Sequence, residues 1–430
     1  MNLYESGEAG SRDLNVVHAG ELAVVRDGGR ARRGAEQGEL NLLADGAVAI
    51  RDGAIIAVGE TSEVLHRAGD CPRTIDARGM TVLPGLVECH SHPLFGGDRN
   101  WEYPRRIRGE SSRRLRELGG GIWSSVLATR RASDEELLLR ARAYYRAAIA
   151  GGVTTLEVKS GYGLTTRDEL RCLALLKRSS EGTPIDLVYT FLGAHVPPHD
   201  GLSPTEFARL VREEMLPAVR EQGIAEFHDL SCEAGDFEAD EAALLIEAAA
   251  QSGLRSRVHA DASSPSGGWR VAVEGGAIAA DHLTYTPREE IMAIGSTETI
   301  AVLLPIAEQF YLDDRRANAR AFIECGVPVG IATDFCSSFQ ATSLILSISL
   351  ACSWFRITPA EAIVGATLNA AHVLGRATDR GSLDVGKRGD LVILDCPKAD
   401  CVGTRIGAPL VDTVVSSGRI IEGNRGAGWT

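Results

Sequence analysis

Five metal-type side chains stand at the carboxyl ends of short apolar runs that lie far apart in the sequence. They are His90, His92, His259, His282 and Asp334. Each run has the length and composition of a buried strand. In a barrel of parallel strands, the carboxyl ends of all strands meet on one face. Side chains that are distant in the sequence are therefore expected to converge there.

The residue types indicate a metal site. Imidazole nitrogen and carboxylate oxygen suit Zn²⁺ or another first-row divalent ion. Alternate side chains of a strand share a face, so His90 and His92 are expected side by side, with Cys89 turned away from them. A lone histidine at a strand end is more often a hydrogen-bonded core residue. Four histidines and an aspartate in equivalent positions favour a metal centre.

The middle of the chain alternates between apolar runs and helical stretches. The runs lie at 83–92, 154–158, 186–192, 225–230, 256–259, 277–281, 300–304 and 329–333. Eight such units over about 250 residues are the number expected of a (β/α)₈ barrel. The sequence therefore predicts an α/β fold, in which residues 83–381 form a TIM-like barrel domain.

Both ends of the chain are rich in short β-type segments. Residues 1–82 and 382–430 carry these segments, with Asp-Gly turns between several of them. Each end alone would have a small core and exposed strand edges. We therefore expect the two ends to pair into one small composite β-sandwich domain that flanks the barrel.

Composition excludes several classes of protein. A net charge of −13 argues against a nucleic-acid binder, which usually carries a basic face. No apolar run reaches the ~18 residues that span a bilayer, and residues 1–7 lack the features of a secretion signal. Nine scattered cysteines without a Cys-x-x-Cys pair indicate reduced thiols. The sequence thus predicts a cytoplasmic protein without membrane or nucleic-acid partners.

Several segments resemble the imidazolonepropionase family of the amidohydrolase superfamily over nearly the whole chain. They are residues 84–99, 119–122, 157–164, 191–195, 258–261, 280–283 and 332–334. The most specific are Ser160-Gly-Tyr-Gly163 and Leu192-Gly-Ala-His195, whereas His-x-His marks only the superfamily. The resemblance implies hydrolysis of a cyclic amide C–N bond in histidine degradation, converting 4-imidazolone-5-propanoate to N-formimino-glutamate, or opening of a close ring analogue.

The resemblance also implies a metal-ligand set and a proton carrier. It assigns one metal ion, Zn²⁺ or alternatively Fe²⁺ or Fe³⁺, to His90, His92, His259 and Asp334. A metal ion lowers the pKa of a bound water from 15.7 to about 7, so an attacking base is available at neutral pH. Asp334 is then suited to take the water proton and deliver it to the departing ring nitrogen. His282 is suited to stabilise the tetrahedral oxyanion.

Three further residues match positions of the family that contact the substrate, a small heterocycle bearing a carboxylate. They are Arg99, Tyr162 and His195. An arginine binds a carboxylate through two parallel hydrogen bonds, and the other two are suited to hydrogen-bond the ring or the side chain. The alternatives are a surface ion pair for Arg99 and a packed loop position for Tyr162. The family resemblance, and the frequency of two-fold oligomers, also predict a homodimer.

The chain departs from the family at two places in the substrate shell. Ala262 stands where the family has a carboxamide or carboxylate, and residues 335–338, Phe-Cys-Ser-Ser, replace a segment containing Asn-Pro-Gly. A missing partner for the ring costs ~1–3 kcal/mol, so a related imidazolone, hydantoin or thio-substituted ring is an alternative substrate. A deaminase of an aminated ring is the second alternative and a non-catalytic binding protein the third. The specific segments argue against the deaminase, and the intact metal positions argue against the binding protein.

Two residues near the predicted site remain without an assigned role. Glu233 follows a strand, as either a carboxylate behind the metal ligands or the N-terminal cap of a helix. Cys336 is the thiol expected nearest the site, and no local signature marks it as a nucleophile.

Overall fold

A computed structural model of the chain describes residues 12–199, 201–312 and 314–423. The predicted absence of a secretion signal at residues 1–7 lies outside these residues. The strands are β1 Leu14–Ala19, β2 Glu21–Ala23, β3 Leu42–Leu43, β4 Gly46–Arg51, β5 Ala54–Glu60, β6 Thr74–Asp76, β7 Thr81–Pro84, β8 Leu86–Glu88, β9 Val153–Lys159, β10 Asp186–Ala194, β11 Phe227–Cys232, β12 Arg255–Ala260, β13 Ala279–His282, β14 Ile300–Leu303, β15 Val329–Ile331, β16 Leu391–Leu394, β17 Val411–Ser416 and β18 Arg419–Gly423.

Most of the helices lie in the middle segment, between and after its strands. They are α1 Thr61–Ala68, α2 Glu102–Ile107, α3 Ser112–Glu117, α4 Ile122–Arg131, α5 Asp134–Ala150, α6 Thr166–Ser179, α7 Pro204–Leu210, α8 Leu216–Gln222, α9 Ala239–Gln251, α10 Gly268–Glu274, α11 Arg288–Ile294, α12 Pro305–Tyr311, α13 Ala319–Glu324, α14 Leu344–Phe355, α15 Pro359–Gly365, α16 Leu368–Val373 and α17 Cys401–Thr404. A 3₁₀ turn covers Gly34–Gly38, and a π-helical turn, Val211–Met215, joins α7 to α8. No helix of the described residues is long and apolar enough to cross a bilayer.

The barrel has the predicted eight strands. Strands β8 to β15 pair in parallel and in chain order. The first and last strands are joined beyond their ends, where Ser91 forms a parallel bridge with Phe335. In this seam the His92 amide donates to the Phe335 carbonyl at 2.7 Å, and the Asp334 amide donates to the His90 carbonyl at 3.2 Å. The segments predicted to carry metal ligands therefore close the barrel.

One local prediction is wrong. His90 and His92 do not lie within a strand, because β8 ends at Glu88. They belong to the seam that follows β8, and Ser91 between them donates its hydroxyl hydrogen to the Glu157 carbonyl at 2.5 Å. The expected sharing of a face by the two histidines is nevertheless confirmed, and Cys89 is fully buried.

The two ends of the chain form two sheets on one core. The four-stranded sheet has the order β5-β4-β1-β6, and the six-stranded sheet has the order β18-β17-β16-β7-β2-β3. The C-terminal strand β16 pairs with β7, which pairs with β2, so both ends of the chain share a sheet as predicted. Leu14, Val48 and Ile393 belong to one fully buried cluster between the sheets. The domain boundaries at 82/83 and 381/382 remain predictions.

Candidate metal centre and substrate site

Three histidine rings converge at the carboxyl ends of the barrel strands. Nε2 of His92 lies 3.2 Å from Nε2 of His90 and 3.4 Å from Nε2 of His259. Asp334 Oδ1 lies 3.5 Å from Nε2 of both His90 and His92. The structure thus brings together all four residues that were predicted to hold a metal ion.

Two carboxylates behind the histidines set which ring nitrogens face one another. Asp281 Oδ2 lies 2.8 Å from Nδ1 of His90, and Asp229 Oδ1 lies 3.1 Å from Nδ1 of His259. An ionised carboxylate only accepts hydrogen bonds, so each Nδ1 carries the proton and each Nε2 presents a lone pair. Lone pairs at such distances repel one another, and a cation between them removes the repulsion. The donor set therefore fits a metal ion.

A buried charge network lies beneath the histidines. Lys159 Nζ contacts Asp229 Oδ2 at 2.6 Å and Glu157 Oε2 at 2.8 Å. The Arg257 guanidinium contacts Glu157 Oε1, and its Nη2 lies 2.7 Å from Asp281 Oδ2. All five of these side chains are fully buried. The network ties the carboxylates behind His90 and His259 to one another.

The same network limits the number of cations that the site accepts. Asp229, His259 and Asp281 also lie close enough to hold an ion, but Lys159 and Arg257 already neutralise these carboxylates. Three carboxylates around two cationic side chains leave one negative charge, and Asp334 adds a second when it is ionised. A buried excess of negative charge is costly unless it is paired. One divalent cation at the histidines balances it.

Asp334 and the His-x-His segment are held by one carboxyl group. Glu88 accepts from the His90 amide at 3.0 Å and from the Thr333 amide at 3.1 Å. Burial raises the pKa of Glu88 to about 8, so it is protonated at neutral pH and adds no charge to the site. Without a cation, burial raises the pKa of Asp334 to about 7. A positive ion nearby favours the ionised form and lowers that pKa.

His282 lies beside the convergent rings. Its ring centroid is 5.2 Å from that of His259 and 5.5 Å from that of His90. Its backbone has φ +78°, a strained conformation for a residue with a Cβ atom. Burial and the neighbouring His259 hold the pKa of His282 well below its ordinary value, so the ring is neutral. The predicted role of His282 beside the reacting carbonyl remains a prediction.

Tyr162 and His195 flank the metal ligands. The His195 ring stacks on His92 with centroids 5.3 Å apart, and the Tyr162 ring lies 6.1 Å from His92. Nδ1–H of His195 donates to the Gly161 carbonyl at 2.9 Å, which leaves Nε2 as an acceptor. Burial lowers the pKa of His195 to about 3 and raises that of Tyr162, so a neutral imidazole and a protonated phenol face the site.

Arg99 is buried at the same site, and Glu102 is bound to it. Glu102 accepts from Nε at 2.7 Å and from Nη2 at 2.8 Å, so the fork of the guanidinium already holds a carboxylate. Nη1 donates to the Ser338 hydroxyl at 2.6 Å. The alternative of a surface ion pair is wrong, because both partners are buried. The predicted contact of Arg99 with substrate remains a prediction.

The structure shows the surroundings of Cys336 and Glu233, the two residues without an assigned role. The Cys336 thiol is buried, and burial together with the Asp334 carboxylate raises its pKa to about 12, so it is not a thiolate. The Glu233 carboxylate accepts from the Ala262 amide, and from the amide and hydroxyl of Ser263 at 3.2 and 2.8 Å. It holds the loop after β12, which is neither of the two predicted roles.

The charge network beneath the predicted metal ligands was not predicted from the sequence. Its members are Glu157, Lys159, Asp229, Arg257 and Asp281. A signal was present, because Glu157 and Lys159, like Arg257 and His259, are two residues apart on one strand and so share a face. Charged residues at alternate positions of otherwise apolar barrel strands indicate an interior network.

Comparison with known proteins identifies the family. Residues 81–421 match the model of the amidohydrolase family. An imidazolonepropionase of Geobacillus kaustophilus is 41% identical over 417 residues, 95% of this chain and 98% of the relative. One from Haloarcula marismortui is 39% identical over 385 residues, 89% of this chain and 91% of the relative. The chain belongs to the imidazolonepropionase family of amidohydrolases.

Solved structures of lower identity share the fold. A triazine hydrolase variant is 18% identical, with a TM-score of 0.74 over 96% of this chain and 95% of the other. An adenosine deaminase from Xanthomonas campestris with bound zinc is 19% identical, with a TM-score of 0.68 over 95% and 92%. At this identity, the two structures show only that this protein shares their fold.

Proposed function

We propose that this amidohydrolase opens the ring of 4-imidazolone-5-propanoate by hydrolysing a C–N bond, which yields N-formimino-glutamate in histidine degradation. Membership of the imidazolonepropionase family makes it a hydrolase of a cyclic amide C–N bond. The observation that carries the proposal is the convergence of His90, His92, His259 and Asp334, with His195 stacked on His92.

The positions of Asp334 and His282 support the following proton transfers. When bound at the three histidines, a divalent cation polarises a carbonyl oxygen and lowers the pKa of a water to near 7. The Asp334 carboxylate accepts the proton of the attacking water and returns it to the ring nitrogen as the C–N bond breaks. His282, as a neutral imidazole, donates a hydrogen bond to the oxygen on which negative charge develops.

Each group that contacts the substrate in this proposal has a defined role as hydrogen-bond donor or acceptor. Because Nδ1–H of His195 is committed to Gly161, its Nε2 accepts a hydrogen bond from a ring N–H. The Tyr162 phenol is protonated and donates to a carbonyl or carboxylate oxygen. Nη1 of Arg99 and the Ser338 hydroxyl form a donor pair for the carboxylate of the substrate, and Glu102 keeps the guanidinium in place.

The test is incubation of the purified protein with 4-imidazolone-5-propanoate and analysis of the product mass. A gain of one water without release of ammonia supports the proposal. Release of ammonia from an aminated ring, in place of ring opening, indicates a deaminase and contradicts it. Faster turnover of a hydantoin or thio-substituted ring indicates altered specificity, which the departures from the family at Ala262 and residues 335–338 would explain.

We further propose that the resident metal is Zn²⁺, with Fe²⁺ or Fe³⁺ as alternatives, and that the protein is a cytoplasmic homodimer. Three imidazoles and a carboxylate suit either metal. Elemental analysis of protein purified without added metal decides between zinc and iron, and light scattering after gel filtration decides the oligomeric state. A monomeric mass contradicts the homodimer.

A further inference from the structure

Glu169 is a fully buried carboxylate that bonds to the loop carrying Tyr162. It lies in the first turn of α6, which Thr165 caps through a bond from the Asp168 amide at 3.1 Å. Its Oε1 accepts from the amides of Gly163 at 2.7 Å and Leu164 at 2.9 Å, and its Oε2 accepts from the amide of Gly161 at 3.0 Å.

These bonds hold the loop in a conformation that it does not adopt by default. Gly161 has φ +112° and Leu164 has φ +50°, both in the region that side-chain-bearing residues rarely occupy. A Cβ atom on Gly163 would lie 2.6 Å from the backbone of residues 168 and 169, so the loop packs directly on the start of α6. Without the carboxylate, three buried N–H groups lose their partner, which favours another loop conformation.

The same loop positions two groups of the substrate site. Tyr162 stands between amides that Glu169 binds, and its hydroxyl lies 3.2 Å from the Ser337 hydroxyl. The Gly161 carbonyl accepts the Nδ1–H of His195, which orients that ring on His92 and decides which nitrogen faces the site. One carboxylate therefore fixes both a phenol and an imidazole, although it contacts neither ring.

We propose that Glu169 is a positioning residue for the substrate, acting through the loop at residues 161–164 on Tyr162 and His195. This inference rests on the proposed function, because it assigns both rings to the substrate. A purely structural carboxylate at the start of a helix would affect stability through the helix dipole. A positioning residue affects substrate binding in a protein that remains folded and keeps its metal.

The experiment compares Glu169→Gln with Glu169→Asp and with Glu361→Gln as a matched control. Glu361 is also a buried glutamate in the first turn of a helix. It accepts from the backbone amide of Thr358, the N-cap of α15, at 2.7 Å and pairs with Arg320 on α13 at 2.8 Å. The measurements are kcat and KM for ring opening, the metal content per chain, and hydrogen exchange of the Gly161, Gly163 and Leu164 amides.

For Glu169→Gln we expect KM to rise ~10-fold or more, since a displacement of about 1 Å in a positioned group costs up to 10²-fold. We expect kcat to change less than about 3-fold and the metal content to stay unchanged, because the metal ligands keep their partners. The three amides should exchange ~10-fold faster. Glu169→Asp keeps the charge and should give an intermediate KM, and Glu361→Gln should match the wild type.

The KM values and metal contents of the variants decide the inference. An unchanged KM in folded Glu169→Gln, or a loss of metal in that variant, overturns it. If Glu169→Gln does not fold, a wild-type KM in Glu169→Asp overturns it, and an elevated KM with intact metal supports it. A wild-type protein that does not open the ring overturns the proposed function instead. In that case, faster exchange of the three amides in Glu169→Gln still supports the conclusion that Glu169 stabilises the loop. Unchanged exchange overturns that conclusion.

Discussion

Asp229→Asn is expected to weaken metal binding although Asp229 is not a metal ligand. The Asp229 carboxylate accepts from Nδ1 of His259 at 3.1 Å, from Nζ of Lys159 at 2.6 Å, and from the Leu230 amide at 2.8 Å. All three partners are donors. Asparagine has nearly the same shape but offers one acceptor oxygen and one NH₂ group, so in either orientation a donor faces a donor.

The expected loss of metal affinity follows from the partners of the two Asp229 carboxylate oxygens. Partners that orient a ligating histidine typically contribute 10–100-fold to metal affinity, which corresponds to about 1.4–2.8 kcal/mol of binding free energy. The lost charge also leaves Lys159 with Glu157 as its carboxylate partner. Breaking a buried ion pair costs ~3–5 kcal/mol of stability. This is an upper limit here, because Glu157 keeps part of the compensation.

The assay is a competition between the protein and a chromophoric chelator for Zn²⁺, combined with the absorption spectrum of the Co²⁺-substituted protein. Asp240→Asn is the control, because Asp240 is an exposed carboxylate in the first turn of α9. We expect the dissociation constant to rise ~10–100-fold in Asp229→Asn, with an altered Co²⁺ spectrum, and no change in the control. A folded Asp229→Asn protein whose affinity lies within twofold of the wild type would refute the reasoning.

Three further expectations concern the metal, a buried carboxyl and a close backbone contact. Chelation should abolish ring opening, one equivalent of metal per chain should restore it, and a second should add nothing, because Lys159 and Arg257 fill the neighbouring acidic cluster; activity during metal titration measures this. Burial raises the pKa of Glu308 from 4.5 to about 7. The folded state therefore binds the proton more tightly than the unfolded state. The free energy of unfolding should fall by up to roughly 3 kcal/mol as the pH rises from 4.5 to 7. Urea titrations of the wild type should show this fall, and those of Glu308→Gln should show a smaller one. Gly96→Ala places a Cβ atom 2.6 Å from the Ala128 backbone and should destabilise the protein by about 1–3 kcal/mol, whereas Gly28→Ala, with open space around it, should not.

The barrel was predictable because each of its strands can be recognised from a short stretch of sequence. Each of the eight strands is an apolar run in its own stretch of chain, and the helices between them leave one order for a parallel sheet. The convergence of the predicted metal ligands was predictable because the carboxyl ends of such strands share a face, whereas the set of four came from the family resemblance. The pairing of the two chain ends was predictable because each end alone would leave strand edges exposed.

The interior polar residues were not predictable at the same level. The spacing of Glu157 and Lys159 puts them on one face of a strand, but it does not reveal that Asp229 and Arg257 pair with them when the barrel closes. Glu169 looks like an ordinary acidic residue in the first turn of a helix. The positive φ values at His282 and Asp334 are not marked by glycine, since both positions carry residues with a Cβ atom. These features depend on tertiary contacts between strands that are distant in the sequence.

Closure of the barrel and assembly of the metal centre use the same backbone atoms. The seam between β8 and β15 consists of the His92 and Asp334 amides bonded to the Phe335 and His90 carbonyls, and Glu88 binds the backbone on both sides of it. Hydrogen bonds of the barrel itself therefore position the backbone of His90 and Asp334. A cation held by residues on both sides of the seam would stabilise the barrel, because it would bind only when the two ends of the sheet are joined.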